Sequence, residues 1–509
     1  MDVLFINSGN AKVVYQDLSK DYSAIEPPTW ALLLAESCRS QKFKVGILDM
    51  NAENLSFEEA SHRITKLKPR LICFVVYGQN VNAGTVGMSG AAAFSKFLKN
   101  NNSNLNIALI GSYAQSLPYK VLSDEESIDF IFTNEGVYSL WNILKLEKID
   151  PNYLEHIKGI GWRKNGKVTL NPPEKLVPQE RMDIDLPGYA WDLLPMKEKA
   201  LDLYRAPMWH AEYDHAKRSP YAAIQTSLGC PFACSFCMIN IINRDDNDPI
   251  GVAGNYSKMR FWSPEFIIKE FDKLDLMGVN TIRIVDEMFL LNKKYYQPLC
   301  ELLSERPYSK SLRMWAYSRI DTITNSETLD LVRKAGIKWL CLGIESGNRN
   351  VRLEVSKGKF QDLDIRKVIQ HVHDAGIEVL ANYIFGLPGE TQESMEETLN
   401  LSLELCTSGW NAYTAMPLPG SQLYKDALEK GYKLPKDYSG FSFHSYTTSP
   451  MPTDKLSAAE ILKFRDQAYT TYHTAPNLLN RIKTTFGPIA VNNIKKMTEI
   501  GLKREILGD

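Results

Sequence analysis

Short apolar runs separated by stretches of helical period recur along this chain in two series. In the first 150 residues they are VLFIN (3–7), KVGILDM (44–50), LICFVVY (71–77), NIALIG (106–111) and FIFTN (130–134). Runs of this length, each followed by a helical stretch, imply parallel strands joined by helical crossovers, with helices on both faces of the sheet. Residues 1–150 are therefore expected to form a doubly wound, Rossmann-like α/β domain. A second series follows over 216–430: AAIQTSLG (222–229), TIRIVDE (281–287), LRMWAYSRID (312–321), WLCLGIESG (339–347), VLANYIFGLPGE (379–390) and NAYTAMPLPG (411–420). Six such units are too few for a closed eight-fold barrel and predict an open, partial (β/α)6 barrel of the TIM type.

The segments outside the two series read differently. Over 151–215, GIGWRKNGKVTLNPP (159–173) predicts a β-hairpin turning at Asn165-Gly166. The proline-bearing stretch 172–215 has no period and is expected to be a linker lying across the surface between the domains. Residues 431–509 predict a small, mostly helical region, with the clearest helical spacing over 457–473.

Composition excludes several classes. A formal net charge of −1 over 509 residues leaves no nucleic-acid footprint. No apolar stretch approaches the length of a membrane span. The start MDVLFINSGN lacks the basic and apolar regions of a signal peptide. Of 8 cysteines, Cys38, Cys73, Cys300, Cys341 and Cys406 stand singly. That is no disulfide framework, and it predicts a reducing, cytoplasmic setting.

In both architectures ligands gather at the carboxyl ends of the strands. In the first series those ends are rich in Gly, Asn and Ser, and none reads G-x-G-x-x-G, which argues against a dinucleotide. In the second, the strand ends carry Asp286, Glu287, Arg319, Glu345, Glu390 and the loop GCPFACSFC, with Cys230, Cys234 and Cys237. Thiolates bind zinc or iron–sulfur clusters. Structural zinc takes four protein ligands, usually as two separated pairs, and no second Cys-x-x-Cys exists; His210 and His215 are the nearby candidates for a fourth ligand. A [4Fe–4S] cluster on three thiolates would instead leave one iron open to a small molecule.

The Cys-x3-Cys-x2-Cys spacing, with Phe236 before the last cysteine, resembles the radical S-adenosylmethionine (SAM) enzymes. Their fold is the six-unit partial barrel, and the resemblance implies that the open iron takes the amino and carboxylate groups of SAM. VDEMF (285–289) is similar to the family's second-strand motif, where Asp286 or Glu287 would pair with the SAM ammonium. LGIESG (342–347) resembles the fourth-strand motif, with Glu345 near the ribose. FGLPGET (385–391) resembles the fifth, with the Gly386 backbone near the adenine. Arg319 would meet the SAM carboxylate. A doubly wound unit ahead of this barrel is similar to the cobalamin-dependent subgroup, through EPPTWALLLAESCRS (26–40), KVGILDMNAEN (44–54), ALIGSYAQSLPYKVL (108–122) and DFIFTNEG (129–136). That resemblance implies cobalamin contacts from Asn7, Tyr77, Gly78, Gln79, Asn80, Gly111, Ser112, Glu135 and Gly136. The loop Asp-x-His-x-x-Gly, which supplies an axial histidine in many cobalamin proteins, is absent; His62 is the sole histidine before residue 150 and falls in a helical stretch.

The expected activity is a cobalamin-dependent radical SAM methyltransferase acting on an unactivated carbon, or less often phosphorus, of a small molecule or a lipid- or sugar-linked intermediate. An external electron donor of the flavodoxin or ferredoxin type would feed it. A cyclase or rearrangement enzyme of the anaerobic porphyrin type would share the motifs, and a cobalamin sensor or carrier module is the reading from another class. With one cysteine trio, no auxiliary cluster for methylthiolation is expected. The aromatic stretch FSFHSYTTSPMPT (441–453), with His444, Tyr446 and the more distant His473, supplies further candidates for a substrate cleft.

Overall fold

The computed structural model describes residues 1–77, 81–206, 220–239, 259–323, 326–355 and 362–509. The first domain is built on β1 (Val3–Asn7), β2 (Val45–Asp49), β3 (Leu71–Val76), β4 (Ile107–Gly111) and β5 (Phe130–Phe132). These five are parallel in the order β2-β1-β3-β4-β5. Alternate residues face opposite cores, as a sheet covered on both sides requires. Val3, Phe5, Leu71 and Cys73 pack with the helix Thr29–Ser40, while Leu4, Ile6, Ile72 and Phe74 pack with Phe57–Leu67 and Gly84–Asn101.

The expected hairpin forms as β6 (Ile160–Lys164) and β7 (Lys167–Leu170), turning through Asn165 and Gly166, both at positive φ. It does not stand apart: β6 pairs antiparallel with β5, so the first sheet has seven strands. Arg163 fastens it by donating to the carbonyls of Leu122, Glu125 and Ile128.

The stretch after the hairpin departs from the surface linker expected. Val177, Met182, Leu186, Tyr189, Trp191 and Tyr204 are buried in a core shared by both sheets. A chain of short helical turns and irregular pieces, buried on several sides, shows neither helical nor strand period, which is why this role left no pattern in the sequence.

The second sheet comprises β8 (Tyr221–Ile224), β11 (Thr281–Ile284), β12 (Arg313–Arg319), β13 (Ile337–Glu345), β14 (Glu378–Phe385) and β15 (Gly409–Thr414). A two-stranded ribbon, β9 (Ser227–Leu228) with β10 (Arg260–Phe261), sits between the first two of them in sequence. The six strands run parallel in the order β15-β14-β13-β12-β11-β8, with no pairing of β15 to β8 among the described residues. The barrel is thus a half-barrel with an open seam. Helices Ala458–Thr474, Pro476–Phe486 and Pro488–Thr498 form the C-terminal region, the first opened by a Ser457/Glu460 capping box and packed on β15. No helix among the described residues is long and apolar enough to cross a membrane.

Candidate functional site

A cavity of about 900 Å³ is lined from both sheets: by Asn7, Asn51 and Tyr77 on one side, and by the cysteine loop, Glu287, Arg319 and Glu345 on the other. Inward-facing side chains of the half-barrel strands (Arg283, Tyr317, Cys341, Asn382, Tyr413) continue the lining down into it.

The cysteine loop is held at several points. Asp286, fully buried beyond the end of β11, accepts from the Thr226 backbone N–H, the Thr226 hydroxyl and the Ser227 hydroxyl, each at 2.6 Å. Gly229 turns the chain at φ +96°, where other residues are strained. Ser235 is tied through its N–H to Val355 and through its carbonyl to Leu423. The Cys237 N–H donates to the Cys234 carbonyl at 3.0 Å. Burial pushes the Cys230 thiol up to about 12, with the nearby Glu287 and Cys234 adding to the rise and Arg319 opposing it. Burial, and then Glu287, push Cys237 up as well. Such thiols ionise when a metal replaces the proton. Among the described residues no three His, Cys, Asp or Glu side chains are gathered closely enough to hold one ion. Ligands of a cluster need not be, since each thiolate takes a different iron. His210 and His215 lie outside the described residues.

The strand-end groups separate into those that build the loop and those that face the cavity. Asp286 does the first while also bordering the cavity: the sequence offered it or Glu287 for the SAM ammonium, and its oxygens are engaged by Thr226 and Ser227. Its neighbour Glu287 is partly exposed, lines the cavity and acts electrostatically on Cys230 and Cys237. Arg319 forms a buried bidentate pair with Asp321, both bonds 2.6 Å, and its guanidinium lies 3.8 Å from the ring centroid of Phe232 in the cysteine loop. Glu345 ends β13 in a bulge at φ +67°, a left-handed conformation costly for a non-glycine residue. Its carboxylate lines the cavity and makes no hydrogen bond among the described residues. Withdrawal from water pushes its carboxyl up to about 7, with Arg319 opposing.

Gly386, at φ +81°, donates its N–H to buried Glu390 at 2.6 Å, so this turn is closed by its own chain rather than open to the cavity. Phe236 lines the cavity from the cysteine loop.

On the first domain, Asn7 lines the cavity and donates to Asp49 at 2.9 Å. Asp49 also caps the Asn51 and Ala52 N–H groups and accepts from Tyr204. Tyr77 lines the cavity with its ring edge-on to Trp30 and its hydroxyl bonded by Gln115. Gly78, Gln79 and Asn80 lie outside the described residues. Gly111, Ser112, Glu135 and Gly136 are not in the lining. A Cβ on Gly111 would meet the Val76 carbonyl oxygen at 2.3 Å, and one on Gly84 would meet the Ser112 hydroxyl at 2.1 Å, so these residues let strand and helix approach. Glu135 is committed to a buried pair with Arg260 at 2.7 Å and to the Val177 N–H. The Gly136 N–H donates to Asn134 at the start of the next helix. His62 is exposed on its helix, away from the cavity.

Sequence reasoning missed three contributors. Asn82 reaches from the first domain to Cys237 and Met238. Glu26, from the loop before the first long helix, enters the half-barrel and pairs with buried Arg283 at 2.5 Å. The C-terminal helices supply Ile482, Phe486, Ile494 and Met497 to the far end of the lining. Asn82 and the C-terminal residues belong to no motif, and Glu26 opens EPPTWALLLAESCRS without being singled out there; each arises from contacts remote in sequence. Of the aromatic stretch, Phe441, Phe443 and His444 line the cavity, and His444 lies between Tyr15 and Phe443, held neutral by burial and by Arg465 and Arg504. His473 also lines the cavity, whereas Tyr446 is exposed and donates to the Asp509 carbonyl.

Residues 224–402 match the model of the Radical SAM superfamily. The chain is 27% identical over 458 residues to the uncharacterized methyltransferase PH0819 of Pyrococcus horikoshii, covering 89% of each. It is 24% identical over 451 residues to the anaerobic magnesium-protoporphyrin IX monomethyl ester cyclase of Cereibacter sphaeroides, covering 86% of this chain and 65% of that one. Two solved structures share the fold. The radical SAM methyltransferase TsrM of Kitasatospora setae, with cobalamin and a [4Fe–4S] cluster bound, superposes with a TM-score of 0.62 at 15% identity, covering 84% of this chain and 78% of that one. The cobalamin-dependent SAM radical enzyme OxsB, with aqua-cobalamin and SAM bound, gives 0.67 at 13%, covering 98% and 70%.

Proposed function

We propose that this radical SAM protein is a cobalamin-dependent methyltransferase that delivers a methyl group from SAM, by way of cobalamin, to an unactivated carbon of a small molecule. The observation that carries the reading is the single cavity shared by the cysteine loop of the half-barrel and the carboxyl edge of the doubly wound sheet. Two cofactors that must act on one substrate need a common chamber, and a carrier module would have no use for the half-barrel's cysteines.

The residues fit the groups assigned to them. Cys230, Cys234 and Cys237 would anchor a [4Fe–4S] cluster. Glu287 stands beside them for the SAM ammonium, Glu345 offers an unengaged acceptor for ribose hydroxyls, and Arg319 supplies positive charge for the SAM carboxylate. Asn7 and Tyr77 face the same chamber from the cobalamin side. When bound, the cluster supplies one electron for SAM cleavage, and cobalamin supplies a transferable methyl group. Asp286 fixes the loop that carries the cysteines, Arg319 is oriented by Asp321, and the aromatic wall at Phe441 and Phe443 excludes water from a radical site. The electron comes from an external donor of the flavodoxin or ferredoxin type.

The test is anaerobic, with reconstituted protein, cobalamin, a strong reductant and a panel of small molecules. A substrate should release S-adenosylhomocysteine and 5′-deoxyadenosine in equal amounts, and CD3-labelled SAM should pass all its deuterium to the product. Substrate-dependent 5′-deoxyadenosine without matching S-adenosylhomocysteine would favour cyclisation or rearrangement, the reading supported by the alignment to the porphyrin-ester cyclase. A reduced cluster whose EPR spectrum ignores SAM would reject both. Replacing any of Cys230, Cys234 or Cys237 with Ala should remove the iron and all 5′-deoxyadenosine formation, while Cys38→Ala should cost only packing. A Cys230→Ala protein that still cleaves SAM reductively would overturn the cluster assignment.

A further inference from the structure

We infer that Asn82, carried by the first domain, donates a hydrogen bond to the cluster thiolate of Cys237 and thereby sets the cluster's reduction potential. The inference rests on the reading of the three cysteines as the cluster anchor. Asn82 lies in the short turn Val81–Ala83 just beyond β3, 155 residues from Cys237 in sequence. Its Nδ2 stands 3.8 Å from Cys237 Sγ, and its Oδ1 accepts from the Met238 N–H at 3.1 Å.

The second bond fixes the sense of the first. A backbone N–H can only donate, so the amide oxygen must face Met238, and the NH2 group is left to face the sulfur. An amide held this way stays a donor to sulfur whether the thiolate's iron is oxidised or reduced. A donor at a cluster thiolate draws electron density from the sulfur and favours the more negative, reduced cluster, which raises the potential. The surroundings amplify the effect: Cys237 packs with Cys230, Met238, Ile239 and Met288, where little competing polarity screens the bond. Because Asn82 belongs to the domain that also presents Asn7 and Tyr77, the electron-accepting half of the site is completed by the other domain.

Two variants separate donation from mere propping. Asn82→Asp keeps an oxygen for the Met238 N–H, loses the donor and adds charge. Asn82→Leu loses both bonds at similar volume. The full-length protein, anaerobically reconstituted, is titrated electrochemically with the reduced cluster followed by EPR. Both variants should hold a full complement of iron and sulfide, with a midpoint potential more negative than wild type and the Asp variant the lower of the two. SAM affinity should stay within twofold of wild type. SAM cleavage driven by a flavodoxin-type donor should slow, and a stronger reductant should restore it. A wild-type potential in both variants would overturn the inference, and so would loss of iron from both, which would make the side chain a structural support. A wild-type protein that assembles no cluster would instead overturn the reading on which the inference rests.

Discussion

At the scale of single residues, Glu345 is the group whose state the site depends on most directly. Withdrawal from water pushes its carboxyl up to about 7. On the proposed reading ribose hydroxyls would donate to the ionised form, so SAM binding would compete with the proton. Affinity should therefore weaken as pH falls through about 7, by up to tenfold per pH unit below it. Glu345→Gln should remove that pH dependence and weaken binding by about 1.5–3 kcal/mol at pH 8; calorimetry across pH 6–8.5 tests both, and a wild-type affinity flat with pH would reject the contact. For the fold the sign is opposite. A carboxyl raised above its ordinary value contributes stability that is present below about 4.5 and lost as pH rises through about 7. Asp286 and Glu287, adjacent in sequence, should part company: Asp286→Asn disturbs three bonds to the loop and should lower iron content, whereas Glu287→Gln should keep the iron and lose about 1.5–3 kcal/mol of SAM binding. Iron analysis and calorimetry on the two variants decide. The sequence made both carboxylates legible as strand-end groups, but not which one the preceding strand's loop would engage.

Among the elements, those with a period were legible and those without were not. The β–α alternation announced both sheets, and Asn165-Gly166 announced the hairpin. Nothing in that hairpin says it will extend the first sheet, because an edge strand's partner lies remote in sequence. The turn after β14 is also only half visible. FGLPGET marks a turn, but its closure by Glu390 and its packing under the helix Ala458–Thr474 are tertiary. A Cβ on Gly386 would stand 2.7 Å from Ile461, in a left-handed conformation. Gly386→Ala should therefore destabilise by at least about 1–2 kcal/mol from backbone strain alone, with the steric clash added. Thermal unfolding checks this, and an unchanged melting temperature would mean that the turn relaxes freely.

At the scale of the whole molecule, the two sheets are locked by buried charge. Arg260–Glu135 and Arg283–Glu26 both cross between the domains, with every partner under a tenth exposed. Glu135→Ala strands Arg260 and should cost about 3–5 kcal/mol, read as a lower denaturant midpoint and a chamber less able to hold both cofactors. The same arrangement bears on cobalt. His62 and His156, the histidines of the first sheet's domain, are both exposed and absent from the chamber lining, so the reduced, cobalamin-loaded protein should give a cob(II)alamin EPR signal without nitrogen superhyperfine splitting. Splitting that disappears in His444→Ala would show that the C-terminal region reaches the cobalt instead. The C-terminal region also supplies part of the chamber wall: helices beyond residue 457 and the 441–444 stretch line it, none of them part of the barrel. Phe441 and Phe443 also pack with Cys230 and Met238, whereas the helices beyond residue 457 are not in that cluster. A graft of the segment beyond residue 457 from another member of the fold should carry its donor's selectivity across while leaving iron content and SAM cleavage as they are here, and that outcome would make the tail of the chain the place to read, or rewrite, what the enzyme acts upon.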